Sequence, residues 1–385
     1  MTSTDAKIII IGGGIGGLST AIALRKAGHE VVVFEQSGHL REIGAGLTIW
    51  TNAVKVLQKL GIGDAVLEIG AVIERHEART ASGKLLGEAP VGDLGRKLGA
   101  PSICVHRAEL LHVLGSRLDP DLVRLEHRSA GFAQDNTGVT AGFVNGHREQ
   151  GAAIVGADGL HSVIREQLLA KSSPKYAGYT CWRGIARLET EKLPPGVSRE
   201  YFGAGRRFGV LNLPKGRIAW YATKNTAEGG GDLEGGRKKE LLSLFAGWGE
   251  PVEAIIDATE ERGIFRNDIY DRDPIDCWGR GRVTLLGDAA HPTTPNYGQG
   301  ACLAIEDAYV LARELSTSGD IVGGLRSYES KRMARANQVV RASRQLGAAS
   351  QWENPIACLV RDALIRLTIA NVGRSKLETM IGYEP

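Results

Sequence analysis

The sequence predicts an α/β protein: a parallel β-sheet layered with helices, an inserted and mostly antiparallel β-sheet, and a helical C-terminal region. Three observations lead there. The first 35 residues read strand, glycine turn, helix, strand. A stretch of alternating and aromatic strand patterns at 174–270 then separates two further strand–glycine–acid signatures. A helical pattern follows from 328. The expected organisation is a first unit at 1–71, continued at 101–173 and 271–327, with inserted strands at 72–100 and 174–270 and helices at 328–385.

Composition narrows the function. The 385 residues carry 47 basic and 44 acidic side chains, a formal net charge of +3, and no charge block. That argues against a polycation acting on nucleic acid. Five scattered cysteines with no CxxC pair argue against a disulfide framework or zinc ribbon and suit a reducing cytoplasm. The nine histidines never stand at metal-ligand spacing, so no metal is expected. The Ile8–Ile11 run is too short for a signal peptide, and no apolar run approaches the ~20 residues of a membrane span. Glycine is the outlier, with 51 residues, about twice the usual ~7%.

Lys7 to Ile11 is a β-branched run, as suits a strand buried on both faces. It enters Gly12-Gly13-Gly14-Ile15-Gly16-Gly17. Leu18, Ala21, Ile22 and Leu24 then recur at helical spacing, Ala27-Gly28 closes the helix, and His29 to Phe34 forms a second strand ending at Glu35. Gly12, Gly14 and Gly17 fill the three places of GxGxxG: the tight turn, the close approach of a pyrophosphate, and helix–strand packing. The helix N-terminus offers free N–H groups to phosphates. Glu35, 18 residues after Gly17, stands where a carboxylate grips a ribose hydroxyl pair, which disfavours a 2′-phosphate. This unit alone admits NAD or FAD.

Residues 152–158 form a second apolar strand ending at Asp158-Gly159. Residues 282–286 form a third, ending in Gly287-Asp288-Ala289-Ala290-His291. Pro292, Pro295, Asn296 and Gly298-Gln299-Gly300 follow, and then helical periodicity from Ala301 to Leu315. Between these signatures, 176–187, 199–213 and 217–224 read as strands, with 72–90 adding more and 225–237 as a loop. The basic residues Lys331, Arg332, Arg335, Arg341 and Arg344 read as a solvated helix face.

GxGxxG, the mid-chain ADG and GDAAHPTTPNYGQGACLAIEDA, in this order along nearly the whole chain, resemble the single-component FAD-dependent aromatic hydroxylases with the para-hydroxybenzoate hydroxylase fold. The long third motif is similar to the branch of salicylate hydroxylase, urate hydroxylase and zeaxanthin epoxidase. The resemblance implies a Rossmann-like FAD-binding domain with noncovalent FAD, NAD(P)H as transient co-substrate, and O2. It implies NAD(P)H-dependent hydroxylation of an aromatic or other electron-rich small molecule through a C4a-hydroperoxyflavin. Epoxidation of an alkene or polyene is the alternative, and a non-catalytic flavin or nucleotide binder a third. By position, Gly12, Gly14, Gly17 and Glu35 would hold the ADP half. Arg107 would reach the pyrophosphate or ribose, and Asp158 and Gly159 would support FAD. Asp288 would bind the ribityl hydroxyls. Arg41, Gly44, Ala45 and Gly46 would line the cofactor, with Pro295, Gly298, Gln299, Gly300 and Ala301 at the flavin edge. His291 is expected to be structural.

For the substrate the sequence offers Arg183, Arg206, Arg207, Trp182, Trp220, Tyr221, Asn296 and Tyr297. An arginine in an aromatic pocket can bind a carboxylate or phenolate and lower its pKa. In the urate-hydroxylating branch an Asp stands at the place of Asn296; Asn can neither act as a base nor carry charge, which puts uric acid in doubt. The expected partners are a small-molecule substrate, no nucleic acid and no integral membrane segment, with the chain a monomer or homodimer.

Overall fold

A computed structural model describes residues 7–40, 45–169, 172–369 and 374–385. At its centre the strand Ile8–Ile11, with all four side chains buried, lies parallel to Val31–Phe34 on one side and Ala153–Gly156 on the other. Val283–Leu285 and Val123–Arg124 extend this parallel sheet, and the antiparallel Gly279–Arg280 completes six strands. A strand in mid-sheet is covered on both faces, so a run of β-branched residues with no polar alternation is what this position needs. The three strands whose sequences end in glycine–acid signatures are neighbours, so their C-terminal turns meet at one edge, where open α/β sheets bind ligands.

The inserted sheet has seven strands, in the order Phe265–Asp271, Lys175–Arg187, Arg217–Asn225, Arg206–Leu213, Val197–Phe202, Arg75–Thr80 and Leu85–Ala89. All its pairings are antiparallel except Val197–Phe202 with Arg75–Thr80. The strand expected at 199–213 is two, broken at Gly205, whose φ is +60°. Helices Arg237–Leu244 and Val252–Asp257 cover one face, burying Trp182, Phe208, Trp220 and Phe245. The other face turns toward the six-stranded unit.

Two small antiparallel sheets lie outside the sequence expectation. Ser129–Gln134, Val139–Phe143 and Arg148–Gly151 form one; Gly46–Ile49, Ile103–His106 and Gly70–Val72 form the other. Gly46, read as part of a loop, opens a strand of the second. The C-terminal region is helical: Ile321–Ser350, Pro355–Thr368 and Arg374–Ile381. The expected division at 327/328 falls inside the first of these helices.

The basic residues of that helix are only in part a solvated face: Lys331 and Arg341 are exposed, but the others turn to acidic partners. Arg332 is 0% exposed and binds Glu306 and Asp307. Arg335 reaches Glu306, Lys331 reaches Glu314, and Arg344 bridges Asp271 and Asp273. Residues 306 and 307 are the acids of the motif ending AIEDA, so sequence-distant charges neutralise each other inside the protein.

Candidate active site

The glycine loop shows why its side chains are absent. Gly12 has φ +110°, and a Cβ there would lie 2.3 Å from the Ala157 carbonyl oxygen. A Cβ on Gly17 would lie 1.9 Å from the Gly12 carbonyl oxygen. These two glycines let the loop touch the Asp158 turn and let the helix Ile15–Lys26 sit on its strand. Gly14 is different: it precedes the helix, and an added Cβ would meet nothing within 4 Å. Space in front of exposed helix N–H groups is what a pyrophosphate requires. Glu35 accepts the Gly13 N–H at 2.7 Å and the Ser37 N–H at 2.9 Å. It anchors the loop, and its remaining lone pairs stay available for ribose hydroxyls.

Asp158 does something narrower than its motif implies. Its carboxylate accepts from Ser162 Oγ (2.5 Å) and from the N–H groups of Val163 (2.8 Å) and Ile164 (3.3 Å), capping the helix Val163–Leu169. The backbone at Ala157 and Asp158 abuts Gly12, and Gly159 takes the left-handed turn beside it, with φ +78°. From the same helix, the buried Arg165 donates to the carbonyls of Ala289 and Ala290 at 2.9 and 2.8 Å. One guanidinium thus ties the second signature to the third. The sequence reading missed this residue; nothing in its local pattern marks it.

Asp288 has the opposite character. Its side chain is open to solvent, and no hydrogen bond from the described residues reaches its carboxylate. It therefore does not cap the helix Gly300–Thr317, although a Cβ on Gly300 would come within 3.8 Å of its Oδ1. The surrounding protein pushes its pKa up, while His291 and Arg107 pull it down. An acceptor open to solvent, beside the start of an 18-residue helix, fits a polyol.

The turn between them is braced from behind. Pro295–Tyr297 forms a 3-10 turn, and Gly298 takes φ +61°. Trp50 Nε1 donates to the Tyr297 carbonyl at 2.9 Å. Asn52 Nδ2 donates to Gln299 Oε1 at 3.0 Å and to Glu306 Oε1 at 2.5 Å. Asp307 accepts from His291 Nε2 (2.6 Å), from the Gly287 N–H (3.2 Å) and from Arg332 Nε (2.7 Å). Burial alone would raise the Asp307 pKa, but His291 and Arg332 hold it below the ordinary value. Tyr383 lies over Arg332 and Arg335 at 5.2 and 4.7 Å. His291 is buried within this network. Neither Asn52 nor Trp50 stood out in the sequence.

Opposite lies the inward face of the seven-stranded sheet. Residues directly paired across antiparallel strands share a face. Arg183 pairs with Tyr221 and Tyr221 with Gly209; Cys181 pairs with Thr223 and Thr223 with Arg207. One end of this face meets the turn: Arg207 Nη2 donates to Asn296 Oδ1 at 2.7 Å. The other end meets Gly46, where an added Cβ would lie 2.2 Å from Ala219 Cβ. Arg183 and Tyr221 thus stand between the two glycine-bearing segments.

The face sorts the expected substrate residues. Trp182 and Trp220 point to the opposite face and are 0% and 2% exposed, so they are core. Arg206 also points away, to the Leu244 carbonyl. Arg207 is closed in by protein: besides Asn296 it binds Gln351 Oε1 (2.8 Å) and Glu200 Oε1 (3.0 Å), and Glu200 also accepts from Tyr221 Oη at 2.8 Å. The Asn296 amide is committed too, its Nδ2 donating to Thr294 Oγ1 and the Ser343 carbonyl. Tyr297 is half-buried, and burial pushes its phenol pKa up. Arg183 alone among these arginines makes no hydrogen bond or ion pair with the described residues. Arg41 and Gly44 lie outside the described residues; the Ala45 carbonyl accepts the Arg107 N–H at 3.0 Å, and Ala301 packs on the main core.

Residues 5–185 and 271–343, the segments that carry all three signatures, match the family model described as an FAD binding domain. The chain belongs to the single-component FAD-dependent monooxygenases. The monooxygenase is 41% identical over 368 residues to the aurachin C monooxygenase/isomerase of Stigmatella aurantiaca, covering 94% of each chain. It is 35% identical over 356 residues to the chloroplastic zeaxanthin epoxidase of Solanum lycopersicum, matching 86% of itself but only 53% of that longer protein. The crystal structure of Klebsiella pneumoniae HpxO complexed with FAD and uric acid superposes with a TM-score of 0.92 at 31% identity, covering 97% and 96% of the two chains. The cofactor is FAD, with NAD(P)H and O2 as co-substrates. Among the described residues no helix is long and apolar enough to cross a membrane, and no group of His, Cys, Asp and Glu is arranged to hold a metal.

Proposed function

We propose that the monooxygenase hydroxylates an electron-rich aromatic ring whose hydroxyl or oxo oxygen is held by Arg183. The observation that carries this reading is the contrast between two arginines on one sheet face: Arg207 is closed by Glu200, Asn296 and Gln351, and Arg183 is open. A guanidinium beside a phenol favours the phenolate, and an oxygen bearing negative charge makes the ring carbon next to it more nucleophilic. Asn296 carries no charge and its amide is satisfied by protein, so it neither takes a proton nor binds an anion. The urate complex of the structural neighbour is therefore a poor guide to this substrate. A compound of the kind the Stigmatella relative acts on is the better starting point. The similarity to zeaxanthin epoxidase keeps epoxidation as a second reading.

On this proposal Glu35 takes the ribose of FAD, the Gly14 helix end its pyrophosphate, Asp288 its ribityl hydroxyls, and the Gly298–Gly300 turn its flavin edge. FAD, when bound, accepts hydride from NAD(P)H and passes one atom of O2 to the substrate. The protein's share is to hold, orient and exclude water. The N-terminus of Gly300–Thr317 places a positive dipole where negative charge would develop. Glycine at 46 lets its strand touch the inserted sheet at Ala219, and glycines at 298 and 300 keep the turn free of side chains.

The test is NAD(P)H oxidation across phenols, aromatic heterocycles, aromatic acids and polyenes, with 18O2 and mass spectrometry of products. One labelled oxygen on an aromatic ring is expected. Arg183→Gln should keep bound flavin and raise KM for phenolic substrates by about tenfold or more, since a hydrogen bond to a charged group contributes roughly 1.5–3 kcal/mol. Label only in an epoxide, or an unchanged KM in the variant, overturns the reading.

A further inference from the structure

Adjacent residues of the strand Arg217–Asn225 repeat one device on opposite faces of the inserted sheet. Trp220 lies against Gly184, its directly paired neighbour: a Cβ on Gly184 would come within 2.6 Å of the indole. Tyr221 lies against Gly209: a Cβ there would stand 2.1 Å from Cε1 and 2.2 Å from Cζ of the phenol ring. In both pairs the missing side chain lets an aromatic ring lie along the backbone of the next strand. Tyr221 then reaches one strand further. Glu200 is the directly paired neighbour of Gly209, and it accepts from Tyr221 Oη at 2.8 Å. The ring therefore lies flat over Gly209, held at one end by its own strand and at the other by Glu200.

The two rings differ in what covers them. Trp220 is 2% exposed, and Phe208 lies parallel to it, with 5.5 Å between ring centres and 9° between planes. Tyr221 is only half-buried, and among the described residues no other ring or guanidinium stacks on it. The core ring has its stacking partner, and the ring on the inward face lacks one. We propose that Gly209 is a positioning residue for the substrate: by laying Tyr221 flat it builds a platform on which the substrate's aromatic ring stacks parallel to the sheet. The inference rests on the reading that this face holds the substrate, and it adds the orientation of the ring to the oxygen contact at Arg183. Arg183, Tyr221, Gly209 and Glu200 form one row of paired residues on four consecutive strands. Arg183 stands at one end of the row, so an aromatic whose oxygen meets it extends its plane over Tyr221. A flat π-face gains from this contact and a saturated ring does not.

Binding of β-naphthol, a flat phenol, to the FAD-loaded full chain tests this, read from the absorbance of the bound flavin. Gly209→Ala puts a methyl group where the Tyr221 ring lies and forces the ring off the sheet. Its dissociation constant for β-naphthol should rise about tenfold, the upper scale of a lost aromatic stack, while FAD affinity stays constant. Tyr221→Leu should give the same rise without crowding any backbone. Tyr221→Phe, which keeps the ring, should bind nearly as the wild type does. Once Tyr221→Leu is in place, Gly209→Ala should add little, because it acts through the ring; a purely structural role would make the two effects add. Arg183→Gln separates the platform from the oxygen contact. Unchanged binding in that variant beside weakened binding in Gly209→Ala removes Arg183 and keeps the platform. No binding of β-naphthol to the wild type, unchanged binding in Tyr221→Leu, additive effects in the double variant, or FAD affinity falling in step overturns the proposal.

Discussion

The two sides of the candidate site, its two walls, treat their polar groups in opposite ways. On the wall built from the parallel sheet, groups that face the cleft are left open: Gly14 has space before it, and the Asp288 carboxylate has no described partner. Their supports are closed behind them, with Arg165 holding the Asp288 turn by its carbonyls and Asn52, Asp307 and Arg332 bracing the helix that follows. On the wall built from the inserted sheet, most polar groups satisfy one another. Arg207, Glu200, Tyr221, Asn296 and Gln351 form one network, and only Arg183 stays open. On the proposed function, the first side would serve a highly polar cofactor and the second a substrate with one polar contact.

The largest effect should come from the bracing network. Arg332→Met removes the guanidinium that touches both Glu306 and Asp307, and leaves two buried carboxylates short of charge. Breaking a buried pair in this way costs about 3–5 kcal/mol. Urea or thermal unfolding of the FAD-free protein should show it. A loss below about 1 kcal/mol, the value for an exposed pair, would mean that water reaches the network and that the cofactor wall is less rigid than drawn here.

Next comes the open acceptor itself. Asp288→Ala should leave the stability of the FAD-free protein nearly unchanged, since no described donor loses a partner. FAD affinity should fall tenfold or more, because charge-assisted hydrogen bonds contribute roughly 1.5–3 kcal/mol and 1.4 kcal/mol is a factor of ten. Titration of flavin fluorescence gives the dissociation constant. An unchanged constant would remove Asp288 from the cofactor site and weaken the contrast between the walls.

The same contrast explains what could be read from the residues. The cofactor wall is made of local signatures. A β-branched run, glycines at fixed spacing and an acid at the strand end each have a local physical reason, so Gly12, Gly14, Gly17, Glu35 and Asp288 stand out as candidates in the sequence. The substrate wall is made of pairings between residues far apart in sequence. Arg207 is silenced by residues 200, 296 and 351, and Trp182 and Trp220 are sent to the opposite face by strand parity. Parity becomes readable only once the register is known. The buried charges on Ile321–Ser350 were misread for the same reason: their partners, Glu306 and Asp307, lie on another helix.

The smallest and most discriminating effect concerns Glu200. Its carboxylate neutralises Arg207 and accepts from Tyr221, and burial together with this neighbouring charge pushes the Tyr221 phenol pKa up. Glu200→Gln keeps the shape and an acceptor oxygen but deletes the charge. Two consequences follow from sign alone. The Tyr221 phenol loses a negative neighbour, so its pKa falls, although burial keeps it protonated at neutral pH. Arg207 loses its counter-charge, so the sheet face gains a second uncompensated cation. Turnover of a neutral or singly anionic aromatic should change by about tenfold or less, the scale of one altered hydrogen bond of 0.5–1.5 kcal/mol. Binding of aromatic carboxylates should strengthen, and FAD affinity should stay constant, because the change lies on the other wall. Steady-state KM and kcat for a phenol and a matched carboxylate, with the flavin dissociation constant, check all three. If FAD affinity falls together with turnover, the two walls are one coupled network, and the division between an open cofactor side and a closed substrate side does not hold.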